Sequence, residues 1–196
     1  MNICVFCSSS NALSEIFFRE ADDLGTLIGK NGHALINGGA NVGLMEAVTI
    51  AAKKAGARTT GIIPELMKGK NLISNHAHEV EITSGMADRK ARMRELSDAF
   101  IALPGGFGTL EEILEVVTLK QLDYHRKPIV FVNTGNFFKH LFLQFEHAFE
   151  EHFSKPEYRK LYHIADHAED AISYIENYQP GEVVNKWFRV PERRSD

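Results

Sequence analysis

Glu112 closes the run LPGGFGTLEE (103–112), and Arg89 and Lys90 lie in the run MADRKARMRE (86–95). These groups are the best suited in the chain to chemistry on a charged small molecule. Gly105, Gly106 and Gly108 permit positive φ and close approach of a ligand to the backbone, and Thr109 adds a hydroxyl. Free N–H groups at the start of the helix that follows favour an anion, phosphate above all. A carboxylate one turn further on would meet a different part of the same ligand. Glu112 could bind the hydroxyls of an attached sugar, stabilise a sugar cation or activate water. The plainer reading is a tight strand-to-helix turn, with Thr109 as the N-cap and early glutamates that suit the helix dipole.

The spacing of the next residues bears on that choice. On a helix from Leu110, the side chains of Leu110, Ile113, Leu114 and Val117 form an apolar face, and Glu111, Glu112 and Glu115 fall opposite it. A solvated acidic face is the usual fate of such a cluster. Countercharge comes from Arg89, Lys90, Arg92 and Arg94, four cations within six residues just before the strand that delivers the glycine loop. Arg89 and Lys90 stand near a helix start, where cations oppose the dipole, and that placement hints at a role beyond solvation. A second glycine loop, NGGANVGLMEA (37–47), contains Gly39 and again links a strand to a helix. Neither loop is the dinucleotide fingerprint, and neither is a P-loop.

These loops are positioned by alternating elements. Strand patterns occur at ICVFCS, HALING, RTTGIIP, HEVEITS, AFIAL, KPIVFVN and LYHIA. Between them lie helical patterns at SEIFFREADDLGTLIGKNG, GLMEAVTIAAKKAG, MADRKARMRELS, TLEEILEVVTLKQLDYH and NFFKHLFLQFEHAFEEHF, and a last one follows at AEDAISYIENY. The polar stretch KGKNLISNHA reads as a loop. Repeated β-then-α order predicts an α/β fold, a doubly wound, Rossmann-like, mainly parallel sheet with helices on both faces. Ligands in such sheets bind beyond the carboxyl ends of the strands, near a reversal of strand order. A single domain over 1–178 is expected, with 179–196 as a mobile C-terminal tail.

Composition narrows the function classes. The chain has 196 residues and is 44% hydrophobic, enough for one substantial core. A net charge of −4 provides no basic field for nucleic acid or an anionic membrane surface. No apolar run approaches the roughly 20 residues that span a bilayer, and MNICVFCSSS reads as a strand rather than a signal peptide, so a cytoplasmic protein is expected. Cys4 and Cys7 form a C-x-x-C, but they sit in an apolar strand rather than at a helix start, and packed thiols are the expectation. His76 and His78 lack a third ligand at metal spacing and read as surface loop residues; no metal is expected. Phe138, Phe142, Phe145 and Phe149 stripe one helix face, by default a core face, with a subunit interface as the alternative.

Pro104, Gly105, Gly106, Gly108, Thr109 and Glu112 match the pattern P-G-G-x-G-T-x-x-E, and Met86, Arg89 and Lys90 match a Met followed by an Arg-Lys pair. With VFCSSS and GGANVGLM, these motifs resemble the LOG (Lonely Guy) family, many of whose members were labelled "possible lysine decarboxylase". The resemblance covers roughly residues 1–178. It implies hydrolysis of the N-glycosidic bond of a nucleoside 5′-monophosphate, a cytokinin riboside monophosphate or AMP, to free base and ribose 5-phosphate. Arg89 and Glu112 match the catalytic pair. Met86, Lys90, the segment Gly105, Gly106, Phe107, Gly108, Thr109, Leu110 and Glu111, and Gly39 match substrate-binding positions, with Thr118 a weaker match. The resemblance further implies a homodimer with sites near the subunit interface, a nucleotide substrate and no cofactor. Ala40 replaces a family glycine, Ala87 the histidine of plant members, and Phe107 the usual tyrosine. A related group carries molybdenum cofactor without hydrolysing it, so a non-catalytic nucleotide or molybdenum-cofactor carrier is the alternative. A pyridoxal-phosphate decarboxylase has only the old label in its favour, since no residue here is marked as a Schiff-base lysine.

Overall fold

A computed structural model describes residues 1–68, 71–182 and 184. The polar stretch KGKNLISNHA is therefore described without residues 69 and 70, and most of 179–196 lies outside the described residues. Seven strands alternate with helices: β1 Asn2–Phe6, β2 Ala34–Asn37, β3 Thr59–Pro64, β4 Glu79–Thr83, β5 Ala99–Ala102, β6 Ile129–Val132 and β7 His163–Ala165. The helices are α1 Glu15–Lys30, α2 Gly43–Lys54, α3 Glu65–Lys68, α4 Met86–Leu96, α5 Phe107–Gln121, α6 Lys139–Glu150 and α7 Ala168–Glu176. All seven expected strands are present. The short α3 falls where no helix pattern was legible, and two 3₁₀ turns, Thr134–Asn136 and Pro156–Leu161, precede α6 and β7.

The strands form one parallel sheet in the order β4-β3-β2-β1-β5-β6-β7. The chain builds outward from β1 to β4, then returns to β1's other side to lay down β5. Strand order therefore reverses between β1 and β5, which is where a doubly wound sheet opens a crevice at its carboxyl edge.

Both faces of the sheet are buried, as helix-covered parallel strands require. Ile3, Val5, Leu35, Ile101 and Val130 pack one face against α1, α2 and α7. Phe6, Ile36, Ile62, Phe100 and Phe131 pack the other against Met93 of α4, Ile113 and Val116 of α5, and Phe138. Each fully buried Leu, Ile, Val or Phe side chain contributes roughly 1.5–3 kcal/mol. Cys7 belongs to the first cluster and Cys4 to the second, so the two free thiols lie on opposite faces of the sheet. Burial pushes both thiols well above the ordinary cysteine range. They are packed thiols rather than a redox pair.

The phenylalanine stripe is largely core. Phe138 and Phe149 are buried, and Phe142 packs between Phe131, Phe145 and Tyr162. The α5 pattern needs a correction. Its helix begins at Phe107 with Gly106 as N-cap, so Thr109 is not the cap but a buried residue of the first turn. The most buried stripe runs through Thr109, Ile113 and Val116 rather than through Leu110, Leu114 and Val117, which are partly buried. That rotation brings Glu112 against the fold instead of leaving it in solvent.

Candidate active site

The end of β1, the segments that follow β1, β2, β3 and β5, one side of α4 and the start of α5 line one cavity of about 460 Å³ at the carboxyl edge of the sheet. Its first wall is the turn after β1. Ser8 N–H donates to the carbonyl of Pro104 at 3.2 Å, tying this turn to the glycine loop across the point where strand order reverses. The hydroxyl oxygens of Ser8 and Ser10 accept from the N–H groups of Ser10 and Ala12, each at 3.1 Å. Gly43, at φ +59°, lets α2 approach the Ser8–Ser10 backbone, and Leu44 N–H donates to the Ser8 carbonyl at 2.9 Å.

The second wall is the loop after β2. Asn37 is buried and fully engaged: its amide donates to the Thr49 hydroxyl at 2.8 Å and the Met45 carbonyl at 3.2 Å, and its oxygen accepts from Gly39 N–H at 3.0 Å. This bracing holds Gly39 at φ +70°, with its backbone packed onto that of Gly61 in β3.

The third wall carries the charges. Arg89 is only 8% exposed, in the second turn of α4. Its Nε donates to the Ile62 carbonyl at 2.9 Å, and its Nη1 donates to Glu112 Oε1 at 2.6 Å. A buried guanidinium is tolerated only when paired and hydrogen-bonded, and both conditions are met. Burial pushes the Glu112 carboxyl above the ordinary glutamate range, while the adjacent Arg89 pulls it back down. The carboxylate thus sits in a desolvated, charge-balanced setting suited to acting on a developing positive charge.

The acidic row on α5 is matched cation for carboxylate by α4. Lys90 pairs with Glu111 and stands 3.4 Å from Glu115, and Arg94 reaches Glu115 at 2.7 Å. Arg92 turns the other way, to Glu81 of β4 at 2.7 Å. Of the three α5 glutamates, Glu112 is the one that lines the cavity. The solvated-face reading holds for Glu111, which is exposed, and fails for Glu112.

Arg89, Glu112, Met86, Gly106, Phe107, Gly108 and Thr109 therefore line one cavity. Gly39, Lys90, Gly105, Leu110, Glu111 and Thr118 are not among its lining residues. Gly105 supports it from behind: a Cβ there would overlap the Thr109 side chain. Leu110 packs against the core, and Lys90 is engaged with the glutamates. Thr118 is exposed two turns further along α5, its hydroxyl donating to the Leu114 carbonyl at 2.8 Å. The site residues missed by the sequence reading include Ser8, Ser9, Ser10, Gly38, Met45 and Leu72. The signal for the serines was available, since they follow directly on β1, the strand beside which the order reverses. His76 and His78 lie at the surface, bonded to Glu46 at 2.6 Å and to Thr59 at 3.0 Å.

The family model described as possible lysine decarboxylase matches residues 45–175, from α2 to α7. Similarity to individual proteins extends further along the chain. The chain is 37% identical over 178 residues to the cytokinin riboside 5′-monophosphate phosphoribohydrolase LOG5 of Arabidopsis thaliana, covering 91% of this chain and 78% of that protein. The chain belongs to the LOG family. It is 39% identical over 178 residues to the LOG3 phosphoribohydrolase of the same plant, covering 91% of this chain and 83% of that one. Among solved structures, the molybdenum cofactor binding protein of Rippkaea orientalis superposes with a TM-score of 0.68 at 27% identity, covering 89% of this chain and 94% of that one. In this LOG family member the two signature segments, 86–95 and 103–112, come from consecutive elements, α4 and the β5–α5 turn. The sheet folds them against each other so that Arg89 meets Glu112.

Proposed function

We propose that this protein hydrolyses the N-glycosidic bond of cytokinin riboside 5′-monophosphates, releasing the free base and ribose 5-phosphate, and that AMP is a further substrate. The observation that carries this reading is the buried Arg89–Glu112 pair beside a glycine turn at a helix start. Its support is the likeness to proteins named for that activity.

Cleavage of a ribosyl C–N bond builds positive charge on the sugar and negative charge on the departing base, as in glycoside hydrolysis generally. The 5′-phosphate fits the N-terminus of α5, where Gly106–Thr109 present free N–H groups and the helix dipole favours an anion. Binding at the phosphate is remote from the breaking bond, and so can be spent on holding the sugar in place. Glu112 then faces the anomeric carbon, stabilises the oxocarbenium charge as the C–N bond breaks, and orients the attacking water; it takes the water's proton as the C–O bond forms, and that proton goes on to the base nitrogen, which leaves as the neutral base. The task of Arg89 is electrostatic: it holds Glu112 in position and favours its ionised form.

A dimer belongs to the same proposal. Phe107 is 93% exposed and Met86 51% exposed at the cavity rim, and a second copy packed over α4 and α5 would cover both. Light scattering of the purified protein tests it.

The carrier reading has one specific observation in its favour, the likeness to a molybdenum cofactor binding protein at 27% identity. A carrier needs the cradle alone, whereas the buried carboxylate–guanidinium pair has a use in hydrolysis. The deciding experiment incubates the protein with AMP and with isopentenyladenosine 5′-monophosphate and follows base release by chromatography. Release that is lost in Glu112→Gln supports the hydrolase. Intact nucleotides at high protein concentration would exclude it and leave the carrier.

A further inference from the structure

A second cavity, of about 390 Å³, opens at the opposite edge of the sheet, where α5 ends and the chain turns into β6 and β7. Lys120, His125, Tyr158, Leu161 and Tyr178 form its inner wall. None of these residues takes part in the chemistry proposed above.

Two hydrogen-bonding groups in this wall have unmet capacity. Tyr158 is 3% exposed, and its hydroxyl has no hydrogen-bond partner among the described residues. Gln121 is close enough to the phenol to work against the rise in its pKa that burial causes. A buried hydroxyl without a partner is destabilising, because its lost hydration is not replaced. The second group is the Lys120 ammonium. It donates to the Leu161 carbonyl at 2.8 Å and lies 4.8 Å over the Tyr178 ring, and it forms no ion pair with a carboxylate of the described residues. Burial alone lowers its pKa to about 8, as expected of a cation without a counter-charge.

The remaining charges do not supply that counter-charge. Arg126 and Asp123 pair with each other at 3.1 Å. Glu157, Lys160 and Glu182 are exposed at the rim. His125 is held below the ordinary histidine range by burial, and its Nε2 bonds the Val116 carbonyl at 2.9 Å. What the inner wall lacks, among the described residues, is a negatively charged acceptor for Lys120 and Tyr158.

We propose that this cavity is a second ligand site, which binds a small molecule through an oxyanion, a carboxylate or a phosphate, accepting hydrogen bonds from Lys120 and Tyr158. The ring of Tyr178 and the side chain of Leu161 provide an apolar surface for the body of such a ligand. The site lies at the sheet edge remote from Glu112, so it is distinct from the nucleotide cavity.

The test is isothermal titration calorimetry of the full chain with orthophosphate and, separately, with benzoate. Which probe binds separates a phosphate ligand from a carboxylate. Tyr158→Phe removes one oxygen and keeps the ring, so the fold is retained; it is expected to weaken binding about tenfold or more. Lys120→Gln is expected to weaken it further, and base release from nucleotide is expected to be unchanged in both variants. At a pH of about 8.5 binding should take up protons, because an anion raises the Lys120 pKa. Titrations in two buffers of different ionisation enthalpy read this directly. Absence of saturable binding of either probe up to about 10 mM would overturn the proposal. So would binding that is indifferent to both variants, or binding lost only in Arg89→Ala, which would assign the ion to the first cavity.

Discussion

Gly38 and Arg89 lie so close that a Cβ on residue 38 would overlap Nη2 of the guanidinium and crowd the Met45 sulfur. The missing side chain at Gly38 is thus what allows Arg89 to lie flat between the Ile62 carbonyl and Glu112. Gly38→Ala is expected to fold and to misplace the guanidinium. A displacement on the ångström scale costs about 10²-fold in rate. Steady-state kinetics, alongside a circular dichroism spectrum that matches the wild type, checks it; unchanged kcat would show that Arg89 has room to spare.

Glu112→Gln leaves an oxygen to accept from Arg89 and removes the charge. Turnover should fall by at least about 10²- to 10³-fold, on the scale of losing one preorganised electrostatic contact. Arg89→Ala goes further, because it strands a buried carboxylate. Loss of one partner of a buried pair costs about 3–5 kcal/mol, which urea unfolding would register as a lower midpoint at similar slope. The two variants therefore separate chemistry from stability: one inactivates a stable protein, the other does both.

The activity profile should carry the mark of Glu112 burial. Desolvation raises its pKa and Arg89 lowers it, with a net rise above the ordinary range. The acid limb of kcat/KM is then expected above the pH at which an exposed glutamate titrates. The stability effect has the opposite direction. With its folded pKa above the unfolded one, this group's contribution is fully present below the unfolded value and is lost as pH rises through the folded value. Unfolding midpoints of wild type and Glu112→Gln, compared from acid to neutral pH, should show the wild type losing ground across that window.

Gly105→Ala places a methyl group against Thr109 and pushes on the first turn of α5. The proposed phosphate subsite lies on that turn, so KM for a nucleoside monophosphate should rise about tenfold or more, with little change in any activity on the unphosphorylated nucleoside. An equal effect on both substrates would move the phosphate elsewhere.

The outer ion pairs between α4 and α5 should matter little. Glu115→Ala removes the contacts to Lys90 and Arg94, which stand partly in solvent. Such pairs contribute about 0–1 kcal/mol, less as salt rises, and the unfolding midpoint should shift accordingly.

Much of this molecule was legible in its residues. The seven strands read clearly because alternating and short apolar runs were punctuated by glycine, and β-then-α order dictated a parallel sheet. The two glycine turns read as site loops because a parallel sheet presents them at one edge. What could not be read was rotational and long-range. The helical spacing of α5 placed Glu112 with Glu111 in solvent, and only the approach of α4, 23 residues earlier at Arg89, turned it inward. Ser8–Ser10 belong to VFCSSS, a motif that helped to mark the family, but the motif by itself gave them no place in the site. Their role follows from lying beside β5, a neighbour about half the chain away in sequence. The second cavity depends on the 3₁₀ turn Pro156–Leu161, a geometry without a periodic signature.

The pairing of β1 with β5 also sets when the site can exist. Ile3 is in register with Leu35 of β2 on one side and with Ala99 on the other, so the first strand waits for its second partner, 96 residues later in the chain. A chain that ends after β4 holds β1 as an open, apolar sheet edge, the form most prone to pairing with another molecule. Long-range pairing of this kind slows folding, because the closure entropy precedes the contacts that offset it. The serine turn and the glycine turn, with Glu112 beyond it, therefore meet only once β5 has paired with β1. During synthesis, no nascent chain shorter than about half the protein can bind or turn over the ligand. A partial chain offers the cell an aggregation hazard rather than a partially active enzyme.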